Sequence, residues 1–301
     1  MSVSAVKRTL AIDLGATNLR VGLVELDGRT ARIIDQIKVP TPKDEKALTA
    51  AMLRLIDQVI SQHPDFRFAT AGISACGIIE HDRTAVLLPN LGIKNMQLAD
   101  LVEKHLSGVK CRVANDANCA ALSESTMGAS TDVPDSIFVT ISSGIGTGFV
   151  YDHKLINIAF EGGRLIMDLD AENRFVEAEE YLSGNGIVRL CKLEGLGDHV
   201  SGAEFFANIR AGKPAFLKVY NLWLKQLGLY FGNLQRLFNV DVYVLSGGVM
   251  KSQDVFLTDL EKVANGFVHP YPLKPIRFVN AKFGQDAGLM GAASLGFSLE
   301  K

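Results

Sequence analysis

Three segments of the sequence combine residue types that bind phosphate or move a proton, and the first lies near the start of the chain. Between Asp13 and Asn18 a carboxylate ends an apolar run and is followed by Gly15 and the hydroxyl of Thr17. Backbone amides of such a turn can face an anion, and a carboxylate can orient hydrated magnesium. We therefore predict that Asp13, Gly15, Thr17 and Asn18 bind nucleotide phosphates, with Asp13 as the candidate magnesium ligand. A tight hairpin that Asp13 merely caps is the alternative.

The second segment is the glycine-rich run from Ser143 to Gly148, which we predict to be another phosphate-binding turn. Glycines allow the backbone to approach a ligand closely, and hydroxyl groups add hydrogen-bond donors. The run lacks the Gly-Lys-Ser/Thr ending of a Walker A loop and the G-x-G-x-x-G pattern of dinucleotide-binding proteins. A plain hairpin turn is again the alternative. The predicted ligands are Ser143, Gly144, Gly146 and Thr147.

The third segment, Asn115-Asp116-Ala117-Asn118, places an acid between two amides at the end of a short strand. A helix cap needs only one such residue, so three polar residues among small ones favour a binding site. Asp116 is suited there to accept a proton from a hydroxyl group. Farther along, Gly247 and Gly248 follow an apolar strand and offer bare backbone on which a nucleoside can lie. A simple strand-to-helix turn would explain those two glycines equally well.

Hydrophobic periodicity predicts the elements that must position these segments. A strand, a glycine turn and a second strand open the chain, and the same succession recurs around residues 136–151. This weak internal repeat is typical of two lobes with a common architecture. Further strands are predicted at 32–39, 67–74, 111–114 and 242–245. Helices are predicted at 43–62, 97–106 and 286–297, after Asn118, and over most of 179–238.

Composition indicates a globular protein with a small-molecule partner. The chain has 301 residues, 48% hydrophobic and 21% charged, with a net charge of −2. That length favours two lobes of roughly 100 to 200 residues each. No block of Lys and Arg suggests nucleic acid or a membrane surface as partner. The four scattered cysteines form no C-x-x-C pair and no apolar signal segment opens the chain, so we expect free thiols and a cytoplasmic location.

Taken in order, these motifs resemble the ROK family of repressors, open reading frames and kinases. The resemblance implies an α/β, two-lobed actin-like ATPase fold (sugar kinase, ribonuclease H-like) with ATP and a hexose in a cleft between the lobes. We expect a smaller N-terminal lobe of residues 1–118, joined by the C-terminal helix 286–301, and a larger lobe of residues 119–285. The motifs that carry the resemblance are 13–20, 88–91, 115–124, 143–148, 246–249 and 286–293.

The resemblance also implies individual roles for residues at matching motif positions. Asp116 matches the catalytic base, and Asn90 and Asn115 match ligands of hexose hydroxyls. Glu161 matches an acidic sugar contact. Glu179 falls where a second sugar-binding glutamate is expected, although the alignment leaves two neighbours as alternatives, Glu177 and Glu180.

One departure from the family pattern concerns zinc. ROK kinases commonly carry a histidine and a cysteine cluster that hold structural zinc, but here Arg164 replaces the histidine and no cysteine lies between Leu165 and Tyr181. Four nitrogen or sulfur ligands cannot be assembled locally, so we predict no zinc site. Arg164 then either contacts the sugar or pairs with an acid, the candidates being Glu161, Asp168 and Glu179.

The resulting prediction is an ATP-dependent hexose kinase that uses magnesium and transfers phosphate to a sugar hydroxyl, with the 6-hydroxyl of a glucose-like hexose preferred. A kinase for N-acetylmannosamine or another hexose is the alternative, because some such family members also lack the zinc motif. An inactive sugar- or nucleotide-binding protein is a further alternative. A DNA-binding regulator is disfavoured because only twelve residues precede Asp13. The sequence leaves open whether the chain forms a homodimer.

Overall fold

Strands and helices alternate along the residues that the computed structural model describes, which are 6–158, 160–170 and 172–300. The strands are β1 (Lys7–Leu14), β2 (Asn18–Asp27), β3 (Thr30–Pro40), β4 (Thr70–Ala75), β5 (Ile78–Glu80), β6 (Thr84–Leu88), β7 (Ile93–Met96), β8 (Lys110–Asn115), β9 (Ser136–Ile141), β10 (Ile145–Tyr151), β11 (Lys154–Leu155), β12 (Ile166–Leu169), β13 (Phe175–Glu177), β14 (Val242–Ser246) and β15 (Phe278–Asn280). The helices are α1 (Glu45–Gln62), α2 (Leu98–His105), α3 (Asp116–Met127), α4 (Ala178–Leu182), α5 (Gly184–Leu193), α6 (Gly202–Arg210), α7 (Pro214–Phe238), α8 (Gln253–Val268) and α9 (Ala287–Phe297).

The first of two units contains residues up to Thr131, the segment that starts at Gly148, and the residues from Lys282 onward. Its main sheet has the strand order β3-β2-β1-β4-β8. Strands β1, β2 and β3 form an antiparallel meander, whereas β1, β4 and β8 run in parallel. The carboxyl ends of these three parallel strands therefore meet at one edge of the sheet, which is where ligands bind in many α/β proteins.

Helix α1 packs on this sheet because its apolar residues recur at helical spacing. Its N-cap Asp44 accepts a hydrogen bond from the amide of Ala47 at 2.9 Å, which starts the helix. Complete burial of one such aliphatic side chain contributes roughly 1.5–3 kcal/mol. The buried residues of α1 that join the core include Leu48, Met52, Leu55, Ile56 and Val59.

A three-stranded sheet of order β5-β6-β7 lies in the same unit and was not predicted from the sequence. Its strands are only three to five residues long, too short for a clear alternation. The turn between β5 and β6 places His81 and Asp82 in the left-handed region, at φ values of 54° and 58°. Neither residue is a glycine, so the usual hairpin signal is missing here.

The second unit contains Asp132–Thr147 and Phe160–Ala281. A five-stranded sheet has the order β11-β10-β9-β14-β15, with β14 parallel to both β9 and β15. An aromatic cluster fills the helical part of the core, where the Trp223 ring packs edge-on against Phe206 and Phe256. The indole nitrogen of Trp223 donates to the carbonyl of Leu182 at 3.1 Å, so its one polar atom is satisfied.

The observed division of the chain differs from the expected boundary after residue 118. Helix α3 runs unbroken from Asp116 to Met127, and Met127 packs with α9 in the core of the first unit. A boundary after residue 118 would cut this continuous helix after its third residue, whereas all of α3 belongs to the first unit. The C-terminal helix α9 lies in the first unit. Across the described residues, no helix is both long enough and apolar enough to cross a membrane.

Candidate active site

The predicted phosphate turn of the first unit follows β1, and an ion pair holds Asp13 at its start. Arg20 donates from Nε and Nη2 to Asp13 Oδ2 at 2.9 and 2.8 Å, and from Nη1 to Asp286 at 3.2 Å. Burial raises the pKa of Asp13, while the Arg20 guanidinium acts in the opposite direction. A cavity of about 780 Å³ adjoins the turn, and its lining includes Asp13, Arg20 and residues 15–18.

This geometry fits a hydrated magnesium ion next to Asp13. Both bonds from Arg20 go to Oδ2, and Oδ1 has no hydrogen-bond partner among the residues that the structure describes. Magnesium prefers oxygen ligands and usually retains several waters, so one carboxylate oxygen of a residue that lines the cavity is sufficient. Arg20 therefore fixes the carboxylate through Oδ2 alone.

The third predicted segment lies at the end of β8 and the start of α3. Asn115 is the N-cap: its Oδ1 accepts from the amide of Ala117 at 2.9 Å and its Nδ2 donates to the carbonyl of Gly77 at 3.0 Å. Asp116 is exposed, and its Oδ1 also accepts from the Ala117 amide at 2.9 Å. Asn115 is thus oriented by the protein, and its second amide hydrogen has no partner among the residues that the structure describes.

Cys76 connects the two acidic segments, and the sequence analysis did not select it as a site residue. It directly follows β4, and its amide donates to the carbonyl of Leu14 at 3.1 Å. Burial raises the pKa of its thiol to about 11, and the negative charges of Asp116 and Asp13 add to the shift. The charges of both carboxylates therefore raise the pKa of the same thiol. The parallel strands bring Asp13 and Asp116 to the same edge of the sheet, although about 100 residues separate them in sequence.

The predicted sugar ligand Asn90 lies in the turn between β6 and β7. The carbonyl of Leu88 accepts from the amides of Leu91 and Gly92, each at 3.0 Å, and this fixes the turn. Asn90 is exposed at its tip.

The glycine-rich turn of the second unit is braced by Glu179. The Glu179 carboxylate accepts from the amide of Ile145 at 2.9 Å. A Cβ atom added at Gly144 would lie 2.4 Å from Glu179 Oε2, closer than any real contact. Gly144 is therefore required because the carboxylate occupies the space of a side chain. Ser143 is exposed beside it, and Gly146 follows within β10.

Thr147 was predicted as a phosphate ligand, but the structure gives its hydroxyl another role. The buried Oγ1 donates to the carbonyl of Phe160 and accepts from the amide of Gly162 at 2.9 Å. Both capacities of the hydroxyl are used by the loop that carries Glu161. Glu161 itself is exposed at the start of the short 3-10 helix Gly162–Arg164. Thr147 thus positions the Glu161 loop instead of facing a ligand.

Arg164 pairs with Glu177, which was not among the acids named as its candidate partners. Its Nη1 lies 2.6 Å from Glu177 Oε2, and this bond raises the pKa of the guanidinium. Strands β12 and β13 pair Ile166 with Glu177, so the partner follows from a ribbon register that the sequence did not reveal. Arg164 is 62% exposed, and such a surface pair contributes little to stability. Among the described residues, no group of three or more His, Cys, Asp or Glu side chains could hold a metal.

The predicted nucleoside shelf adjoins a pocket of about 390 Å³ in the second unit. Gly247 has a φ of 100°, and a Cβ atom there would lie 2.3 Å from the carbonyl oxygen of Ile141. Only glycine fits this position. Sequence reasoning missed most of the pocket lining, because most of it comes from helices outside the selected motifs. The missed residues include Asn185, Val188, Phe206, Val249 and Lys251.

Comparison with known proteins gives consistent relatives over nearly the whole chain. A model of the ROK family matches residues 9–297. A glucokinase from Streptomyces coelicolor is 26% identical, and the alignment covers 95% of this chain and 96% of the relative. An N-acetyl-D-glucosamine kinase from Vibrio parahaemolyticus is also 26% identical, with 94% and 97% covered. The structure of a ROK glucokinase from Streptomyces griseus in complex with glucose and AMPPNP has a TM-score of 0.72 and 26% identity, covering 97% and 99%. The predicted actin-like ATPase fold is confirmed by this likeness.

Proposed function

The chain is a sugar kinase of the ROK family, and we propose that it transfers the γ-phosphoryl group of ATP to a hexose hydroxyl with Asp116 as the general base. The observation that carries the proposal is the edge of the first sheet, where Asp13 with its phosphate turn and the exposed Asp116 flank one thiol. A base for the hydroxyl and a site for the phosphate are both needed for this reaction.

In the proposed step, Asp116 accepts the proton of the sugar hydroxyl as that oxygen forms its bond to the γ-phosphorus. The bond between the γ-phosphorus and the β,γ-bridging oxygen breaks, and ADP leaves with that oxygen. The start of α3 orients the carboxylate, because Asp116 and Asn115 both accept from the Ala117 amide. A bound magnesium ion would supply charge neutralisation for the phosphates, and Asp13 Oδ1 is the atom that would hold it.

In the second unit we propose that the pocket beside Gly247 and Gly248 accepts the nucleoside and that Ser143 and Gly144 contact phosphate. Glu161 and Glu179 are proposed to accept hydrogen bonds from sugar hydroxyls, because carboxylates are acceptors with several lone pairs. Arg164 lies close to these acids but is directed to Glu177. We therefore propose that it shapes the edge of the sugar site without binding the reacting hydroxyl.

The 6-hydroxyl of a glucose-like hexose is the proposed acceptor, and an N-acetylhexosamine is the alternative. The Streptomyces glucokinases favour the first, and the Vibrio N-acetyl-D-glucosamine kinase favours the second. The test is ADP release in a coupled assay, with ATP and magnesium, across a panel of hexoses and N-acetylhexosamines. We expect at least one sugar to raise ADP release well above the sugar-free rate. If ATP binds and no sugar raises the rate, the protein is a non-catalytic nucleotide-binding protein.

A further inference from the structure

The phosphate turn of the first unit is tied down by one short segment, residues 41–43, that precedes α1. Thr41 Oγ1 donates to the carbonyl of Gly15 at 2.7 Å, and the Thr41 amide donates to the carbonyl of Thr17 at 2.9 Å. Lys43 Nζ donates to the carbonyl of Ala16 at 2.7 Å. Three successive carbonyls of the turn thus accept hydrogen bonds from two residues of this segment. We call residues 41–43 the strap.

The strap determines where the amides of the turn point. In a planar trans peptide the N–H lies opposite the C=O, so a carbonyl held on one side directs the next residue's amide to the other side. The carbonyls of Gly15 and Ala16 are held by the strap, which turns the amides of Ala16 and Thr17 away from it. Neither amide has a hydrogen-bond partner among the residues that the structure describes. Both residues line the cavity of about 780 Å³ beside Asp13.

Lys43 also brings a positive charge to this edge of the sheet. Its ammonium acts on the Cys76 thiol in the direction opposite to that of Asp116 and Asp13. Lys43 therefore lies within electrostatic reach of the Cys76 thiol, as Asp13 and Asp116 do. Residues 41–43 belong to none of the motifs that the sequence analysis selected.

We propose that Thr41 and Lys43 are positioning residues for phosphate binding, which hold the turn so that the amides of Ala16 and Thr17 face a phosphate of the nucleotide. The inference rests on the proposed kinase function and deepens it by naming what orients the turn. Amides preset in this way form an anion-binding concavity without reorganisation when the phosphate arrives. Lys43 adds long-range attraction for the same anion.

The test is direct ATP binding by calorimetry, without sugar, on the full chain and four variants. Lys43→Met keeps the length of the side chain and removes its charge, and Thr41→Val keeps the shape and removes the hydroxyl. Lys46→Met is the matched control, because Lys46 is an exposed lysine on α1 outside the strap. From the strength of hydrogen bonds donated by charged groups, discounted for the exposure of Lys43, we expect Lys43→Met to weaken ATP binding roughly 5- to 50-fold. Lys43→Arg should restore most of the loss, and Lys46→Met should bind as the wild type does.

The kinetic counterpart separates a positioning role from general damage to the fold. We expect Lys43→Met to raise the KM for ATP and leave the KM for the sugar unchanged, at an unaltered unfolding temperature. Wild-type ATP affinity in both Lys43→Met and Thr41→Val would overturn the inference and leave the kinase function intact. Failure of the wild-type chain to bind ATP would overturn both.

Discussion

A methyl group at Gly144 tests whether Glu179 sets the conformation of the glycine-rich turn. In Gly144→Ala the new Cβ would lie 2.4 Å from Glu179 Oε2 and 3.0 Å from its Cδ. The carboxylate must therefore move, and it then loses its bond to the Ile145 amide, now 2.9 Å long. A hydrogen bond to a charged group is worth about 1.5–3 kcal/mol, which corresponds to roughly a 10- to 150-fold change in an equilibrium constant. We expect kcat/KM for the sugar to fall within that range.

A double-mutant cycle makes the test specific to this pair. Once Glu179 is truncated in Glu179→Ala, the space beside residue 144 is open, so adding Gly144→Ala should cost little more. The sum of the losses in kcat/KM of the two single variants, expressed as free energies, should therefore exceed the loss of the double variant. Gly266→Ala is the control for an added methyl group, because no atom lies within 4 Å of the Cβ position at Gly266. Additive losses in kcat/KM would refute the idea that Gly144 is needed to accommodate Glu179.

Two further predictions concern stability. Gly247→Ala places a side chain at a φ of 100° and 2.3 Å from a backbone carbonyl, so it should lower the unfolding temperature by several degrees. Gly248→Ala, whose nearest contact would be 3.7 Å away, should not; equal melting of both variants would contradict the packing argument. The buried carboxylate of Glu124 accepts three backbone amides, and its truncation to alanine should cost on the order of 1–3 kcal/mol for each donor left unpaired. Burial raises the pKa of Glu124 above 4.5, so the Glu124 carboxyl stays protonated to a higher pH in the folded chain than in the unfolded chain. The contribution of Glu124 to stability therefore falls as the pH rises from 4.5 through the folded-state pKa. Denaturant unfolding against pH should show that slope in the wild type and a weaker one in Glu124→Ala, and identical slopes would exclude the assignment.

The local sequence predicted those parts of the site whose backbone conformation is determined within one short segment. The strand, turn and strand around Gly15 are confirmed by β1 and β2, and the acid at a strand end is confirmed by Asp116 at the start of α3. In both places, alternation and turn residues act over fewer than a dozen positions. Sequence reasoning needed nothing from distant parts of the chain.

Interactions that join distant segments could not be obtained in the same way. Arg164 pairs with Glu177 because the register of two short strands brings them together. The hydroxyl of Thr147 donates to the carbonyl of Phe160, thirteen residues later in a different loop. Neither pairing leaves a local pattern in the sequence. Helix α8 was overlooked although its buried residues recur every four positions, so its periodicity could have been found. That series is Phe256, Leu260, Ala264 and Val268.

The most direct test of the proposed mechanism is the turnover of Asp116→Asn with ATP, magnesium and the best sugar of the panel. The change keeps the size of the side chain and its place at the start of α3 while removing its ability to accept a proton. Asp27→Asn, at an exposed hairpin turn, is the matched control. We predict that Asp116→Asn lowers kcat by about 100- to 10,000-fold and leaves ATP affinity unchanged. Wild-type kcat in Asp116→Asn with every accepted sugar would contradict the account.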